Sequence, residues 1–227
     1  MLITYPTVSK NLLLFCFKQV FDNQSLERAL MNYYLQSISI SGNVIDLGAG
    51  SENPSYLKFF KKRGLKKLIM ADLYPQNKKI LKLDLEKAFK LSQNQFDYAI
   101  CLNVLEHIYN FQNVIKETKK ILKPKGKFIV STPFVYHLHG SPNDFFRYSH
   151  QAIEKMFKQQ DFKFQKIIYL GFGPFTASIS LVMFIFPKII RAILIIFCIY
   201  IDQLIVYFSD FWRHKHPLGY LYIFSPK

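Results

Sequence analysis

Two glycines and four polar side chains fall where strands should end, and they have the clearest capacity for ligand chemistry in this chain. Asp46, Gly48 and Gly50 lie in Val44-Ile45-Asp46-Leu47-Gly48-Ala49-Gly50, an apolar run that turns through glycine. Glycine has no side chain to obstruct a ligand, so such a turn lets the backbone approach one closely. Asp72 closes the run LIMAD, where a carboxylate can accept hydrogen bonds from both hydroxyls of a ribose. Asp84, in Leu83-Asp84-Leu85, is placed to accept from a base amino group, and Asn103 follows Phe96–Leu102. A dinucleotide fingerprint needs a third glycine at position 53, where this chain has Asn53 followed by Pro54. Singly, each polar residue is more often a cap or turn residue. Their succession at strand ends argues for a binding site.

A second set is suited to proton and anion handling. In His137-Leu138-His139-Gly140-Ser141-Pro142-Asn143-Asp144-Phe145-Phe146-Arg147-Tyr148, His139 is expected as base or acceptor ligand, oriented by Asp144. Arg147 is expected to grip an anionic group, with Tyr148 beside it as a further acceptor-binding residue. The competing reading is a loop held together by an Asp144–Arg147 pair. His107, after Glu106, is a third catalytic candidate, set against a hydrogen-bonded structural histidine. The spacing of His137 and His139 raises a metal, but no further ligand cluster in the sequence supports one, so none is expected.

The elements that must hold these residues alternate. Ser25–Gln36 reads as a capped amphipathic helix, Val44–Leu47 as a strand and Pro54–Arg63 as a helix. Strands are expected at Lys67–Ala71, Ile80–Leu85, Phe96–Leu102 and Lys127–Ser131, with a helix at Val114–Leu122. A helix at Ser149–Gln160 and strands at Phe162–Leu170 and Leu218–Ser225 follow. Strands separated by helices predict an α/β domain with a parallel sheet and helices on both faces. Ligands bind such sheets at the carboxyl ends of the strands. The expected organisation is an N-terminal helical segment at 1–40 and a domain at 41–227, interrupted at 175–216 by an apolar helical insertion before the last strand.

VIDLGAG at 44–50, ADLY at 71–74, LDL at 83–85, CLNVLEHI at 101–108 and LKPKGKFIVSTP at 122–133 together resemble the class I S-adenosylmethionine-dependent methyltransferases, in particular the group with Leu-Glu-His after the fourth strand. The resemblance covers most of Ile40 to Pro133 and departs at Ser51-Glu52, where many relatives carry another glycine. It implies a Rossmann-like fold and S-adenosylmethionine as cofactor. Asp46, Gly48 and Gly50 would hold its methionine part, Asp72 the ribose, and Asp84 with Leu85 the adenine, with Asn103 lining the pocket. The stretch from His139 to Tyr148 is similar to one in methyltransferases encoded with cell-surface glycan enzymes.

Thirty Lys and Arg against fifteen Asp and Glu give a net charge of +15, which favours an anionic partner. Three scattered cysteines indicate neither a disulfide framework nor a zinc site and fit a reducing compartment. The apolar run at Leu12–Phe17 lacks a basic leader and a cleavage site, so it is expected to pack as a helix. On a helical wheel of ~100° per residue, Lys188, Arg191, Cys198, Asp202, Ser209 and Arg213 share a narrow sector of an otherwise apolar helix. That pattern predicts a re-entrant or in-plane anchor at the cytoplasmic face of a membrane, with two tilted crossings or packing on another subunit as alternatives. The expected partners are an anionic membrane surface and a glycan or lipid-like acceptor, methylated on oxygen. Nucleic acid is set aside because Asn103-Val104-Leu105 lacks the Pro-Pro-aromatic motif of amino-methylating enzymes. An RNA methyltransferase and a non-catalytic membrane adaptor remain as alternatives, and the oligomeric state is open.

Overall fold

The computed structural model describes residues 2–140 and 142–227; Met1 and Ser141, the latter inside the His137–Tyr148 stretch, lie outside the described residues. The chain opens with β1 (Leu2–Thr4), followed by α1 (Lys10–Phe21) and α2 (Leu26–Leu35). Each helix has a serine at its start: Ser9 Oγ accepts from Leu12 N at 3.2 Å, and Ser25 Oγ from Arg28 N at 3.1 Å. Leu12, Cys16 and Val20 are spaced by four and form the buried stripe of α1. The central part runs β2 (Ser39–Leu47), β3 (Lys61–Asp72), β4 (Leu81–Lys82), β5 (Phe96–Leu102), α3 (Phe111–Ile121) and β6 (Leu122–Pro133). It continues with α4 (His150–Gln159), β7 (Phe162–Leu170), α5 (Pro174–Val182), α6 (Lys188–Phe208) and β8 (Gly219–Pro226).

The strands form one sheet in the order β1-β7-β8-β6-β5-β2-β3-β4. All pairings are parallel except those of β8, which runs against both β6 and β7. The expectation of a parallel sheet is therefore corrected at one strand. The cause lies in the insertion: it leaves after Leu170 and returns beside it, with Leu218 N donating to Leu170 O at 2.6 Å, so β8 starts where β7 ends.

Helices cover both faces. On one, Leu12, Leu30, Ile195 and Ile199 of α1, α2 and α6 pack over Ile40, Ile129 and Ile168. On the other, Val114 and Ile115 of α3 and Phe157 of α4 pack over Phe128, Tyr222 and Phe224. Phe157 stacks on Phe224 with ring centroids 3.8 Å apart.

Three local expectations are revised. Pro54–Arg63 is not an α-helix: a 3₁₀ turn at Ser55–Phe59 buries Tyr56 and Leu57, and β3 then begins at Lys61. Lys61–Arg63 has no apolar residue to hold a helix against the core, whereas its backbone finds partners on β2, in the register Ser39↔Lys61 and Ile40↔Lys62. Of Ile80–Leu85, only Leu81–Lys82 pairs in the sheet. The N-terminal segment is not wholly helical, since Leu2–Thr4 forms the outer edge strand against β7.

The insertion is a helical hairpin. Arg191, Ala192, Ile195, Cys198, Ile199, Asp202 and Val206 form the buried side of α6. Arg191, Cys198 and Asp202 of the predicted polar stripe thus face the protein. Arg191 is bound by Met183 O at 3.2 Å, Phe186 O at 3.1 Å and Asn23 Oδ1 at 3.1 Å. The outer face leaves Ile193, Phe197, Tyr200, Leu204 and Tyr207 exposed.

Candidate functional site

The carboxyl ends of β3, β2, β5 and β6 lie side by side, in the registers Leu47↔Ala71 and Leu102↔Ser131. Beyond β2 the backbone turns at Gly48 and Gly50, with φ of +75° and +68°. A Cβ on Gly48 would meet Val104 at 2.6 Å, whereas one on Gly50 would meet nothing within 4 Å. Gly48 N and Ala49 N donate to Ala71 O at 2.9 and 3.0 Å. Asp72 completes the turn by accepting from Gly50 N at 2.8 Å and Tyr74 N at 2.9 Å. These contacts set a carboxylate and a bare stretch of backbone on one wall of a cleft of about 810 Å³.

Gly48, Gly50, Asp72, Asp84, Leu85 and Asn103 all line that cleft, as does His107. Asp84 is held open to it by Lys87 Nζ at 3.0 Å and Glu86 N at 3.0 Å, and the Lys87 contact lowers its pKa despite partial burial. Asn103 adopts φ +53°. Its Nδ2 donates to Glu27 Oε2 at 3.1 Å, and its Oδ1 accepts from Ser131 Oγ at 2.6 Å. Glu27 is buried, and burial raises its pKa. Sequence reasoning missed Glu27, because an acidic residue in the first turn of α2 reads as an ordinary favourable helix start. It also missed Glu86, whose Oε1 accepts from Tyr109 N at 2.8 Å and fixes the aromatic rim of the cleft.

Asp46 requires correction. Its side chain is fully buried and does not line the cleft; it lies beneath the turn, with Oδ2 accepting from Tyr56 OH at 2.7 Å. The side-chain period of two places it on the face opposite that of Ile45 and Leu47, which belong to the other core cluster. Burial raises its pKa to about 7, and the Tyr56 hydrogen bond only partly offsets this.

The second set assembles around Asp144. His139 N donates to Asp144 Oδ2 at 2.8 Å, and His139 Nδ1 lies 3.2 Å from the same oxygen. Arg147 grips both carboxylate oxygens, at 2.5 and 2.7 Å, and holds Asp144 far below the ordinary carboxylate range. The remaining guanidinium contacts go to Phe146 O at 2.8 Å and His137 O at 3.0 Å. These contacts commit Arg147 to its own loop, which is the competing reading of a loop held together by an Asp144–Arg147 pair. Tyr148 is corrected as well: it is buried, packed against Phe111 and Phe146 at ring separations of 5.7 and 5.2 Å, and lies outside the cleft. Its position just before α4 carries the ring into the aromatic core, and burial raises its pKa.

His139 lies against His107, ring centroids 5.0 Å apart, so the His137–Tyr148 stretch and the Leu-Glu-His turn meet. Burial lowers the pKa of His139, outweighing the opposing attraction of Asp144. The sequence offers no further ligand cluster around His137 and His139, but folding brings His139 to the adjacent pair Glu106 and His107. One ring nitrogen each from His107 and His139 and a carboxylate oxygen of Glu106 lie within 4.8 Å of one another.

Residues 19–167 match a family model described as a methyltransferase domain. An uncharacterised protein of Methanocaldococcus jannaschii is 39% identical over an alignment spanning 22% of this chain and 28% of that protein's own length. Among solved structures, a complex between the Haloferax volcanii Trm112 methyltransferase activator and a methyltransferase matches with TM-score 0.55 and 14% identity, covering 97% of this chain and all (100%) of that one. An S-adenosylmethionine-dependent methyltransferase from Mesorhizobium loti matches with TM-score 0.52 and 14% identity, over 90% and 99% of the two chains. The [4+2]-cyclase SpnF matches with TM-score 0.54 and 10% identity, over 88% and 80%. At these identities the structural likenesses establish the fold, and one fold can serve different reactions.

Proposed function

This chain belongs to the methyltransferase domain family, as an S-adenosylmethionine-dependent enzyme of the class I fold, and on that premise we propose that it methylates an oxygen of an amphipathic acceptor, a glycan or lipid-linked sugar, at a membrane surface. The cleft fits the cofactor. Gly50 leaves open space at a left-handed turn, Asp72 presents a carboxylate beside it, and about 810 Å³ is ample for a ligand of this size. Gly48 and Gly50 would face the methionine part, Asp72 the ribose and Asp84 with Leu85 the adenine, while Asn103 lines the pocket between them. Asp46 lies outside the cleft lining and is held by Tyr56.

The bound cofactor supplies the electrophilic methyl group. The chain must supply orientation, exclusion of water and a route for one proton. An acceptor hydroxyl that took up this methyl group would have to give up its proton, so the site needs a group of this chain to receive it. His139, whose neutral form burial favours and whose ring Asp144 orients, is the base at that end, with His107 beside it.

The observation that carries the membrane assignment is the position of the insertion. It leaves from the carboxyl end of β7, the same edge as the cleft, and Phe184 approaches His137 of the acceptor loop at 6.5 Å. Ile185 and Tyr207 are 79% and 83% exposed, and the chain carries a net charge of +15. An apolar face on a cationic protein suits an anionic bilayer interface. α6 has 21 residues, close to the ~20 that span a bilayer, but one side of it packs on α1 and α5 has only 9 residues. We therefore place the hairpin in the plane of the interface.

The test is incubation with methyl-labelled cofactor and fractionated lipids, glycans and RNA, together with flotation on anionic vesicles. Label in a lipid or glycan fraction and co-flotation are expected. The charge also favours a second reading, an RNA methyltransferase; label in RNA with salt-sensitive binding and no flotation would replace the first.

A further inference from the structure

Two imidazoles and a carboxylate converge where the acceptor should sit. His107 Nδ1 lies 2.5 Å from Asn143 O, and a carbonyl can only accept, so Nδ1 carries the proton and Nε2 presents its lone pair. That nitrogen is 3.7 Å from Glu106 Oε1. His139 has the same kind of support, with Nδ1 3.2 Å from an Asp144 carboxylate that Arg147 clamps on both oxygens. An oxygen behind each ring is what fixes the tautomer and orientation of metal-ligating histidines. Glu106 is fully buried, and neither of its carboxylate oxygens has a hydrogen-bond partner among the described residues. A buried carboxylate without partners needs a proton or a cation.

We propose that Glu106, His107 and His139 bind a divalent transition-metal cation at the acceptor end of the cleft. The three ligand atoms lie within 4.8 Å of one another. Around an ion with bonds of about 2.0–2.1 Å they would be ~3.3 Å apart, so the site closes by a modest rotation. His139, whose side chain is 33% exposed on the acceptor loop, has room to make it. Two imidazoles with one carboxylate select zinc-like ions over magnesium or calcium, which take oxygen ligands. Three protein ligands leave a coordination position open, and of the three His107 lines the cleft. The assignment of the ion rests on these residues alone; its role in acceptor activation rests on the methyltransferase reading. In that role a bound cation would ease loss of the acceptor's hydroxyl proton to solvent, with His139 as its ligand, and the base role of His139 proposed above would belong to the metal-free enzyme.

The full-length protein, stripped with chelator, is titrated with CoCl₂ and ZnCl₂ while d–d absorption and bound metal are measured, and cofactor binding is followed separately. One equivalent is expected, with ligand-field bands of nitrogen and oxygen ligation. His139→Ala and Glu106→Gln should weaken binding by at least ~10-fold, with His139→Ala retaining cofactor affinity as proof of folding. His137→Ala should bind as the wild type does. Absence of stoichiometric metal, or loss on His137→Ala equal to that on His139→Ala, overturns the site. Metal binding without cofactor binding would sink the methyltransferase reading and leave the ion site standing.

Discussion

Asp202 Oδ2 accepts two hydrogen bonds from Thr176, one from the backbone N–H at 2.8 Å and one from the hydroxyl at 2.7 Å, joining the two arms of the insertion. Its Oδ1 accepts from Phe175 N at 2.9 Å. A carboxylate from α6 thereby satisfies the free donors at the start of α5, where Pro174 occupies the first turn and Gly173 offers no side-chain cap. Asp202→Ala would leave buried donors unpaired, at a cost of about 2–3 kcal/mol. Thermal unfolding should shift down by roughly 5–10 °C, and limited proteolysis should begin within 175–216. An unchanged melt would show that packing alone holds the hairpin.

At the cleft, Asp72→Ala should weaken cofactor affinity by about 10- to 100-fold through loss of the ribose acceptor and of the brace on Gly50. Calorimetric titration reads this directly. Affinity equal to the wild type's would remove Asp72 from the binding site.

Asp46 predicts a pH dependence of stability. Its ordinary value of 3.8 is raised to about 7 in the fold, so the folded state favours the protonated form. The sign follows: its contribution is fully present below ~4, fades as pH rises toward 7 and is lost above it. Asp46→Asn keeps the shape without the charge. In urea unfolding the variant should gain on the wild type by on the order of 2 kcal/mol between pH 5 and pH 8. A difference that stays constant with pH would mean that Asp46 is not the titrating group.

The outer face of the hairpin makes a separate prediction. Phe197 and Tyr207 are 61% and 83% exposed, so replacing both with glutamate should leave the melting temperature within about 2 °C of the wild type's. Flotation with anionic vesicles should be lost, and cofactor affinity retained. Undiminished flotation would move the membrane contact elsewhere, for instance to Leu14 and Phe21 of α1, which are also exposed.

The amino-acid sequence by itself determined most of the order of elements, the turn at Gly48 and Gly50, and the placing of Asp72, Asp84, Leu85 and Asn103 around one cleft. Those features are local: periodicity, glycine turns and strand ends are set by neighbours in the chain. It also showed a polar stripe on α6, but not that Asp202 would turn inward to cap α5. Tertiary structure alone decided three matters. Asp46 lies beneath its turn because the register of β2 points it into the core, and sheet register depends on partners that a single strand does not reveal. Tyr148 turns inward because the fold sets it against Phe111, whereas the Asp144–Arg147 pair, with its partners in one short loop, is one of the two readings the sequence itself offers. Glu106 and His107 meet His139 only when segments more than thirty residues apart, 36 for the bond from His107 to Asn143, are brought together at one end of the sheet. Contacts of that range come from packing, which neighbours in the chain do not set.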